Sequence, residues 1–499
     1  MPSRRTRKGN GPLNPPSDIF RFPQEAFDVL HALEEAGYEA YFVGGCVRDS
    51  IMGRPVSDVD IATSARWKDT AAACEAHGMR THETGTKHGT VTIVAGGVEG
   101  EGCANVEGAK GAEATTGAEC ANDAKPQKAP QAFEVTTYRA DSATSSDSRH
   151  PDSVEFVSSI EEDLARRDFT MNAMAWHPER GLVDPYGGRK DIAQGIIRVV
   201  GDPQQRFRED ALRILRACRF ASQLGFRIDD ETYDAMLSRK SLLENISTER
   251  VTHELDLLLL GGHVHDALMC TVDVLSFAIP ELVAMKDCAQ PTKYHCFDVL
   301  EHTAWAVQQA APTRLVRWAA LCHDMGKPAC MFFDGDGVVH FYGHAAVSAK
   351  LARGMMDRML MGPAFKDGLC AMVANHSDKV APTPKSVKRA LGKVGGDPEL
   401  FRSLLALKRA DILAHAPEYR DQTACIDEIE ATLDDMLAKG DAFAIRHLAI
   451  DGNDVMALGV TKGPEVGRVL QAALDAVVDE AVENERRALI EYVDTNLLC

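Results

Sequence analysis

The sequence predicts an α+β fold, in which a small mixed α/β unit at the N-terminal end precedes largely helical domains. Runs that alternate apolar and polar residues, as strands do, lie early in the chain, at residues 90–94 and 133–138. From Ser159 onward apolar residues recur at helical spacing, as in residues 207–223. The chain has 499 residues, which is too long for a single core, so about three or four domains are expected.

The composition is that of a globular protein, with 45% hydrophobic and 26% charged residues. No apolar run approaches the roughly 20 residues that a membrane-spanning helix needs, so no membrane partner is expected. Residues 1–21 are basic and rich in Pro and Gly with no apolar stretch behind them, which excludes a signal peptide and predicts a disordered tail. The 13 cysteines contain no CxxC pair, which disfavours a zinc ribbon or a disulfide scaffold and makes a cytoplasmic location the expectation.

The net charge of −19 by itself disfavours a nucleic-acid partner. Six arginines nevertheless lie between positions 206 and 227, and such a local basic stripe is compatible with a confined RNA-binding groove. A solvated helix face, on which these arginines pair with Glu209 and Asp210, is the alternative explanation.

The N-terminal unit begins with a helix over residues 24–36 and a strand over residues 40–43, followed by a glycine turn and a strand with two carboxylates. The two alternating runs then form a hairpin. Residues 95–132 between them are rich in Gly, Ala, Glu and Asn and lack large apolar side chains, which predicts a disordered insertion at the hairpin tip. A polar loop at residues 140–151 follows.

The motif GGCVR at positions 44–48 is suited to binding phosphate. A glycine pair lets the backbone approach an anion and point its N–H groups at it, and Arg48 offers a charged guanidinium. Asp58 and Asp60 follow two residues apart, so on a strand both carboxylates face the same side. Mg²⁺ needs such neighbouring oxygen ligands when it also binds substrate phosphates. The motif therefore predicts metal-assisted nucleotidyl transfer.

Eight motifs occur in one order, and together they resemble the class II tRNA nucleotidyltransferases, the CCA-adding enzymes of the DNA polymerase beta superfamily. The resemblance covers roughly residues 22–262 and resumes at residue 448. The motifs are YFVGGCVRD, SDVDIAT, GTKHGTVTI, FEVTTYR, EEDLARRDFTMNAMAW, DPYGG, RFREDALRILRACRF and ISTERVTHEL. The resemblance implies a polymerase-beta-like head, a helical neck that reads the base, and template-independent addition of CCA from CTP and ATP to the 3′ end of tRNA.

The resemblance assigns catalytic roles to three acidic residues. Asp58 and Asp60 would hold two Mg²⁺ ions, one activating the RNA 3′-hydroxyl group and one bridging the triphosphate. Glu134 matches the family's third acidic position and would complete the metal site, with a surface glutamate as the alternative explanation. The other nucleotide-binding residues implied are Gly44, Gly45 and Arg48 for the triphosphate, Arg167 near the phosphates, and Asp168 and Asn172 for the sugar.

The resemblance also implies that residues 209–213 select the base. Asp210 and Arg213 are three residues apart, so on one continuous helix they would share a face and address one base edge together. Glu209 would orient Arg213, and Arg216 belongs to the same nucleotide-binding set. Without the other motifs, the segment REDALR would be a capping and salt-bridge pattern.

Related enzymes add only CC, only A, or poly(A) tails, so these activities are alternatives to full CCA addition. The loop at residues 140–151 carries Asp141 and Arg149, whereas CC-adding relatives typically lack a flexible loop there. The residues after Thr63 lack the basic signature usual in bacterial poly(A) polymerases. Both observations favour complete CCA addition.

A helical, histidine-rich stretch at residues 290–415 resembles the HD superfamily of metal-dependent phosphohydrolases. Imidazole and carboxylate ligands can bind Mn, Fe, Ni, Zn or Mg, and a bound ion can activate water for attack on a phosphoester. Whether this domain hydrolyses a substrate stays open. The implied ligands are His302, His323, Asp324 and Asp411 for one ion, and His344 and His376 for a second.

The predicted organisation has a head (22–160), a neck (161–262), an HD domain (290–415) and a helical tRNA-binding tail (420–499). One rival function is an HD phosphohydrolase whose head only senses nucleotides, and another is a non-catalytic tRNA-binding chaperone. A sensor has no need for catalytic metal ligands, which speaks against the first. The sequence leaves open whether the protein is a monomer or a homodimer.

Overall fold

The computed structural model describes residues 17–85, 89–96, 130–141, 154–292, 294–461 and 463–498. Most of the predicted tail (1–21), insertion (95–132) and polar loop (140–151) therefore lies outside the described residues. The tail prediction is wrong for its last residues, because Phe20 is 4% exposed and stacks on Trp176 at a ring distance of 4.3 Å. Aromatic contacts of this kind anchor the chain before the first helix.

The chain divides into two compact units. The first comprises residues 1–210 and 228–232, and the second comprises residues 211–227 and 233–499. The finer division into head, neck, HD domain and tail stays a prediction. Among the described helices, none combines the length and the apolar character needed to cross a membrane.

Most strands belong to the first unit and most helices to the second. The strands are β1 Ala40–Val43, β2 Asp60–Thr63, β3 Arg80–Gly85, β4 Thr90–Ala95, β5 Gln131–Thr137, β6 Arg139–Asp141, β7 Val154–Phe156, β8 Ala175–His177, β9 Gly181–Val183, β10 Ile196–Ile197, β11 Arg227–Ile228, β12 Phe332–Phe333 and β13 Val339–His340. The helices are α1 Gln24–Glu35, α2 Gly45–Ile51, α3 Trp67–Ala76, α4 Ile160–Ala165, α5 Gly188–Gln194, α6 Pro203–Glu209, α7 Leu212–Leu224, α8 Asp230–Arg239, α9 Thr248–Leu259, α10 Val264–Leu275, α11 Glu281–Met285, α12 Val299–Gln309, α13 Arg314–Cys322, α14 Lys327–Cys330, α15 His344–Arg358, α16 Pro363–Asn375, α17 Pro384–Lys393, α18 Pro398–Ala414, α19 Thr423–Lys439, α20 Gly452–Ala457, α21 Pro464–Val478 and α22 Arg486–Asn496.

The first unit is built on a seven-stranded sheet with the order β3-β4-β5-β2-β1-β8-β9. Strands β2 and β5 are parallel, and the other neighbouring pairs are antiparallel. The predicted hairpin is confirmed, because β4 and β5 pair from Thr90–Thr136 to Ala95–Gln131. These ordered ends lie inside the limits predicted for the insertion, which is therefore shorter than predicted.

Apolar side chains cover both faces of this sheet. Successive residues of a strand point to opposite faces, so Phe42 of β1 enters one core and Val43 enters the other. Helices α1 and α3 pack on the first face, and α1 contributes a buried apolar stripe at helical spacing: Ala26, Val29, Leu30 and Leu33. Burial on both faces fixes the strand register and with it the positions of polar side chains at strand ends.

The second unit is largely helical. Helices α12, α13, α15, α16 and α18 pack around one another in the histidine-rich stretch. Trp318 of α13 is fully buried there, and its indole N–H donates to Asp256 of α9 at 2.7 Å. Helices α20–α22 enclose a separate apolar core around Val455, Leu489 and Val493.

One helix prediction is wrong, because residues 207–223 form two helices. Helix α6 ends at Glu209 and α7 begins at Leu212. Between them Asp210 has an extended backbone, with φ −149° and ψ 104°, and aspartate favours such positions because its side chain competes for backbone hydrogen bonds. Apolar spacing could not reveal this break, since Phe207 and Ile214 are seven residues apart and would share a face of a continuous helix.

Candidate active site and metal centre

Two carboxylates lie at the start of a central strand of the first unit. Strand β2 begins at Asp60, Val59 before it is buried, and exposed Asp58 lies just outside the strand. Asp60 pairs in register with Glu134 on the parallel neighbour β5. The structure therefore sets Asp60 beside Glu134, the residue that the resemblance gives as the third acid.

The surroundings of Asp60 concentrate negative charge. Burial raises the pKa of Asp60 to about 6, the Arg167 guanidinium opposes this rise, and the carboxylates of Glu134 and Asp58 add to it. A donor set made only of carboxylate oxygens, in which like charges repel, fits a hard divalent cation such as Mg²⁺.

Gly44 forms the turn between β1 and α2 and has a positive φ of 75°. A Cβ atom there would lie 2.9 Å from Nη1 of Arg167 and 4.0 Å from Oδ2 of Asp60. The glycine therefore makes room for Arg167 against the turn. At Gly45 a Cβ atom would lie 3.7 Å from Nη2 of Arg48, an ordinary contact. The triphosphate contacts implied for this turn stay a prediction.

Arg48, Asp168 and Asn172 form one hydrogen-bonded network in the first unit. Nη1 of Arg48 donates to Oδ1 of Asn172 at 2.7 Å, and Nδ2 of Asn172 donates to Oδ1 of Asp168 at 3.1 Å. Asp49 accepts from Nε and Nη2 of Arg48, each at 2.9 Å. The network gives the Asn172 amide a single orientation, because its oxygen and its nitrogen have different partners.

Sequence reasoning missed Asp163, which is 1% exposed and pairs with two arginines. Its Oδ1 accepts from Arg166 at 2.7 Å, and its Oδ2 accepts from Arg167 at 3.0 Å. Burial acts to raise the pKa of Asp163, but the Arg167 and Arg166 guanidiniums hold this pKa below its usual range. Asp163 thus stays ionised and positions Arg167. The spacing of three and four residues along one helical segment was the available signal.

The base-selecting residues are divided between the two units. Glu209 and Asp210 belong to the first unit and Arg213 belongs to the second. Arg206 donates to Glu209 at 2.6 Å, as the salt-bridge alternative predicts. The prediction that Asp210 and Arg213 share one helix face is wrong, because the backbone leaves the helix at Asp210. Their roles in base recognition stay predictions.

Arg216 of α7 contacts an acid of the second unit. Its Nη1 lies 3.8 Å from Oε1 of Glu254, a residue of α9 that is 4% exposed. Arg219, one turn further along α7, donates to the other Glu254 oxygen at 2.7 Å. This shared buried carboxylate joins α7 to α9, and a nucleotide-binding role for Arg216 stays a prediction.

The HD-type ligands of the second unit come together around Asp324. Oδ2 of Asp324 lies 3.0 Å from Nε2 of His323 and 3.6 Å from Nε2 of His302. Oδ1 lies 3.4 Å from Nε2 of His344 and 3.7 Å from Nε2 of His376. Asp324 therefore stands between two pairs of imidazoles and can bridge two ions.

Asp411 completes the first set of ligands. Its Oδ1 lies 3.0 Å from Nε2 of His302 and 3.8 Å from Nε2 of His323. Within the described part of the chain, sets of three or more metal-type ligand atoms that lie within 4.8 Å of one another occur only in this region, and the carboxylates of the first unit form no such set. The sets are His302 with His323 and Asp411, Asp324 with His344 and His376, and His295 with His302 and His415.

Unsatisfied buried atoms indicate that this cluster fits divalent cations. Neither carboxylate oxygen of Asp324 accepts a well-aligned hydrogen bond from a described residue, and Nε2 of His323 and Nδ1 of His302 are equally unsatisfied. Burial acts to raise the pKa of Asp324, but His323 and Lys327 hold it well below its usual range. An ionised, buried carboxylate among imidazoles has the chemistry of a transition-metal ligand set.

Sequence reasoning missed three further residues of this cluster. Nζ of Lys327 lies 2.6 Å from Oδ2 of Asp324 and 3.4 Å from Nε2 of His295. Burial lowers the pKa of His295 to about 2, and the Lys327 charge adds to this effect, so His295 is neutral. Nε2 of His415 lies 3.5 Å from Oδ1 of Asp411. The spacing of four residues between Asp411 and His415 was the signal that could have found the last of these.

Models of known protein domains match successive parts of the chain. Models of four domains match: the Poly A polymerase head domain at residues 40–116 and 104–198, the RNA and SrmB binding site of polymerase A at 225–285, the HD domain at 292–415, and the tRNA nucleotidyltransferase domain 2 at 411–493. A protein of Lactiplantibacillus plantarum named CCA-adding enzyme is 32% identical over 473 residues, which cover 94% of this chain and 95% of the relative. The chain belongs to the CCA-adding enzyme family.

Other CCA-adding enzymes agree with this assignment. The one from Geobacillus thermodenitrificans is 39% identical over 310 residues, and the aligned part spans 61% of this chain and 63% of the relative. A solved structure, the Bacillus stearothermophilus CCA-adding enzyme in complex with CTP, is 30% identical with a TM-score of 0.65 and covers 94% of this chain and 96% of its own. The resemblance to tRNA nucleotidyltransferases and the α+β fold class are thereby confirmed.

Proposed function

We propose that the head centre, defined as Asp58, Asp60 and Glu134, adds C, C and A to tRNA 3′ ends from CTP and ATP. The register of β2 and β5, which sets Asp60 beside Glu134, carries this proposal. Support comes from relatives that are named CCA-adding enzymes and from a similar structure described as a complex with CTP. A cytoplasmic location fits such a tRNA substrate.

In this reaction the RNA 3′ oxygen forms a bond to the α-phosphorus, and pyrophosphate leaves. Asp58 and Asp60 would hold two Mg²⁺ ions, which supply activation of the 3′-hydroxyl group and neutralise the triphosphate. Arg167, positioned by Asp163, can donate to phosphate oxygens. Asn172, fixed in one orientation, can bind a sugar hydroxyl group. The protein thus acts mainly by positioning and charge stabilisation.

Complete CCA addition, with CC-only and poly(A) addition as alternatives, is part of the proposal. Asp210 and Arg213 together offer a carboxylate acceptor and guanidinium donors, which match the Watson–Crick edges of C and A. A base that leaves one of these partly buried polar groups unpaired is disfavoured. The loop thought to allow A addition, residues 140–151, lies largely outside the described residues.

We propose a phosphohydrolase activity for the HD centre, defined as His302, His323, Asp324, His344, His376 and Asp411. Asp324, a buried carboxylate placed between two pairs of imidazoles, carries this second proposal. A bound divalent ion would supply a water of lowered pKa. The water oxygen adds to phosphorus, the ester P–O bond breaks, and the leaving oxygen takes a proton.

A basic cavity in the second unit supports tRNA binding near the tail. The cavity has a volume of about 660 Å³ and is lined by Lys388, Arg389 and Lys393 of α17 together with Arg446. Arg389 pairs with Asp479 at 2.6 Å, but exposed ion pairs of this kind contribute only about 0–1 kcal/mol, so phosphate groups can displace them. RNA binding by the tail itself, residues 420–499, is proposed with it.

Extension of tRNA transcripts tests the head-centre proposal. Transcripts that lack CCA or end at CC are incubated with Mg²⁺ and CTP, ATP or both, and products are resolved at single-nucleotide length. We expect arrest after two C residues without ATP and after three additions with both nucleotides. Arrest at CC with both nucleotides indicates a CC-adding enzyme, long A tails indicate a poly(A) polymerase, and no extension contradicts the proposal.

Matched carboxylate variants test the assignment of the centre. Asp58→Ala and Asp60→Ala should lower the rate roughly a hundred- to a thousandfold or more while the protein stays folded. Asp69→Ala removes an exposed carboxylate from the first turn of α3 and should leave the rate unchanged. Substantial transfer by Asp60→Ala would overturn the metal-ligand role.

A further inference from the structure

The exposed aromatic side chains of this protein are concentrated around the HD centre. Among the described residues, the aromatic side chains that are more than a third exposed are Tyr294, Phe332, Phe333 and Tyr342. Tyr294 lies on one side of the cluster, with its ring 6.2 Å from that of His415. The other three belong to residues 332–342, directly before the ligand His344. Neighbouring exposed apolar groups, unlike scattered ones, are a feature of binding sites.

Residues 332–342 form a hairpin whose one face is a layer of stacked rings. Strands β12 and β13 pair with Phe332 opposite His340. The His340 and Tyr342 rings stack at 4.9 Å with an inclination of 19°. The Phe332 ring lies beside them, 5.3 Å from His340 and 5.7 Å from Tyr342, and is tilted by 32° and 51° against their planes. Tyr342 is 72% exposed, so the outer face of this stack is open.

The hairpin is held in place by hydrogen bonds at its tip and by one buried side chain. At its tip, Asp334 accepts from the backbone N–H groups of Asp336 and Val338 and contacts Nε2 of His340 at 2.6 Å. On the face opposite the rings, Val339 is buried at 3% exposure, whereas its cross-strand partner Phe333 is 58% exposed. A platform fixed in this way loses little conformational freedom when a planar group stacks on it.

The platform is close to the HD centre. Only Gly343 separates Tyr342 from the ligand His344, so their Cα atoms are at most about 7.6 Å apart. The ring of Phe341, the residue before Tyr342, lies 5.7 Å from Nζ of Lys327, and that nitrogen lies 2.6 Å from Asp324. A phosphoester at the centre would therefore have the stacked rings within reach of an attached nucleoside.

The size and the chemistry of the patch favour a base over a folded protein. Phe332 and Tyr342, which lie on the same face of the hairpin, together expose an area on the order of 250 Å². A stable protein interface needs about 800 Å² from each partner, so the patch is too small for one. Flat rings with an open face are the feature on which nucleobases stack.

We propose that the ring stack of Phe332, His340 and Tyr342 is a platform for the base of an RNA 3′-terminal nucleotide whose phosphoester lies at the HD centre. This inference rests on the proposed phosphohydrolase activity of that centre. It makes Tyr342 and Phe332 specificity-determining residues, because they bind the base and take no part in the hydrolysis itself.

Two cyclic phosphodiesters that differ only in the base test this role in the full-length protein. Adenosine 2′,3′-cyclic phosphate carries a base, and methyl riboside 2,3-cyclic phosphate has the same phosphoester without one. In the Phe332→Ala/Tyr342→Ala variant, kcat/KM for the adenosine substrate should fall roughly ten- to a hundredfold, mainly through KM, while kcat/KM for the base-free substrate is unaffected.

Two control variants accompany this test. Tyr342→Trp should retain activity, and Val283→Ala, at another exposed apolar residue of the second unit, should leave both kcat/KM values unchanged. An equal loss for both substrates, or no loss, overturns the proposal.

A binding measurement separates this proposal from the hydrolase activity. If the wild-type protein cleaves neither substrate, the proposed hydrolase function fails, and fluorescence of 2-aminopurine riboside 3′-monophosphate decides on the platform. Saturating CTP is present in this titration so that the head centre is occupied. A dissociation constant for this nucleotide that is at least tenfold higher in the double variant than in wild type supports the platform. Equal dissociation constants in the two proteins overturn it.

Discussion

At the scale of single residues, Asp60 is kept ionised at neutral pH against its surroundings. The folded pKa of about 6 lies above the roughly 3.9 of an unfolded aspartate, so the folded protein binds more protons between these two values. The stability contributed by this group therefore falls as the pH rises from about 4 to 6. Neighbouring carboxylates at a metal site raise one another's pKa in this way. A bound cation offsets the repulsion between them and so removes the loss of stability.

Asp60→Asn should therefore stabilise the metal-free protein at pH 7.5. A shift of about two pKa units corresponds to at most roughly 3 kcal/mol, so we expect a gain of about 1–3 kcal/mol over wild type. The gain should largely vanish near pH 4, where folded Asp60 is protonated and the unfolded aspartate is about half protonated. Urea unfolding in EDTA at the two pH values measures it, and a gain that is equal at both would contradict the elevated pKa. Added Mg²⁺ should stabilise wild type more than the variant.

Asp163 acts on substrate only through the arginines that it holds. In Asp163→Asn the carboxylate is replaced by a neutral group of the same shape, so Arg167 loses its buried counter-charge. We expect KM for CTP and ATP to rise about tenfold, because the guanidinium is no longer fixed beside the triphosphate. Steady-state extension assays measure KM and kcat separately, and a melting curve monitors the expected loss of stability. An unchanged KM in folded variant protein would assign Asp163 to folding alone.

At the scale of the elements, the turn between β1 and α2 combines two constraints at Gly44. Its φ of 75° disfavours any side chain, and a Cβ atom would press on Arg167 at 2.9 Å. Gly37 has a similar φ of 86° but nothing within 4 Å of the corresponding position. Substitutions at these two glycines therefore distinguish the effect of backbone strain from the effect of displacing Arg167.

Gly37→Ala should lose about 1–2 kcal/mol of stability through its positive φ, and Gly44→Ala should lose at least as much, because its ψ of −128° lies outside the left-handed helical region. Only Gly44→Ala should also raise KM for CTP, by about tenfold, because it moves Arg167. Urea unfolding and tRNA extension on both variants make the comparison. Equal kinetic effects of the two substitutions would show that strain in the fold, and not the position of Arg167, governs nucleotide binding.

The same scale shows what the sequence could predict. Alternation of apolar residues predicted β4, β5 and their pairing, because burial on both faces of the sheet leaves strands a single workable register. Apolar spacing failed at Asp210, because the apolar residues on either side of the break have the sequence spacing of one continuous helix. Asp163 lies inside a recognised motif, three and four residues before its arginine partners, but a linear pattern does not reveal that its carboxylate is buried. The role of His295 comes from burial and from Lys327, which is distant in the sequence.

At the scale of the whole molecule, two chemically different centres are built in two different ways. The head centre has carboxylates at the start of one strand and along its neighbour. The sequence motifs predicted these carboxylates because each of them lies within a short stretch of the chain. The HD centre collects ligands from several helices, and its six predicted residues do come together around Asp324. Because each compact unit carries one centre, each can be inactivated by a substitution in its own unit.

Asp324→Asn should therefore remove the phosphohydrolase activity and the metal of the HD centre while tRNA extension stays within about twofold of wild type. Asparagine keeps the size of the side chain but cannot supply the charge that bridges two sets of imidazoles, so metal content measured by mass spectrometry should fall. Asp60→Asn should show the opposite pattern, with extension lost and the metal of the HD centre retained. A melting curve confirms that each variant is folded. Loss of tRNA extension in folded Asp324→Asn protein would mean that the HD centre contributes to the transfer reaction, and the two centres would then have to be treated as one functional system.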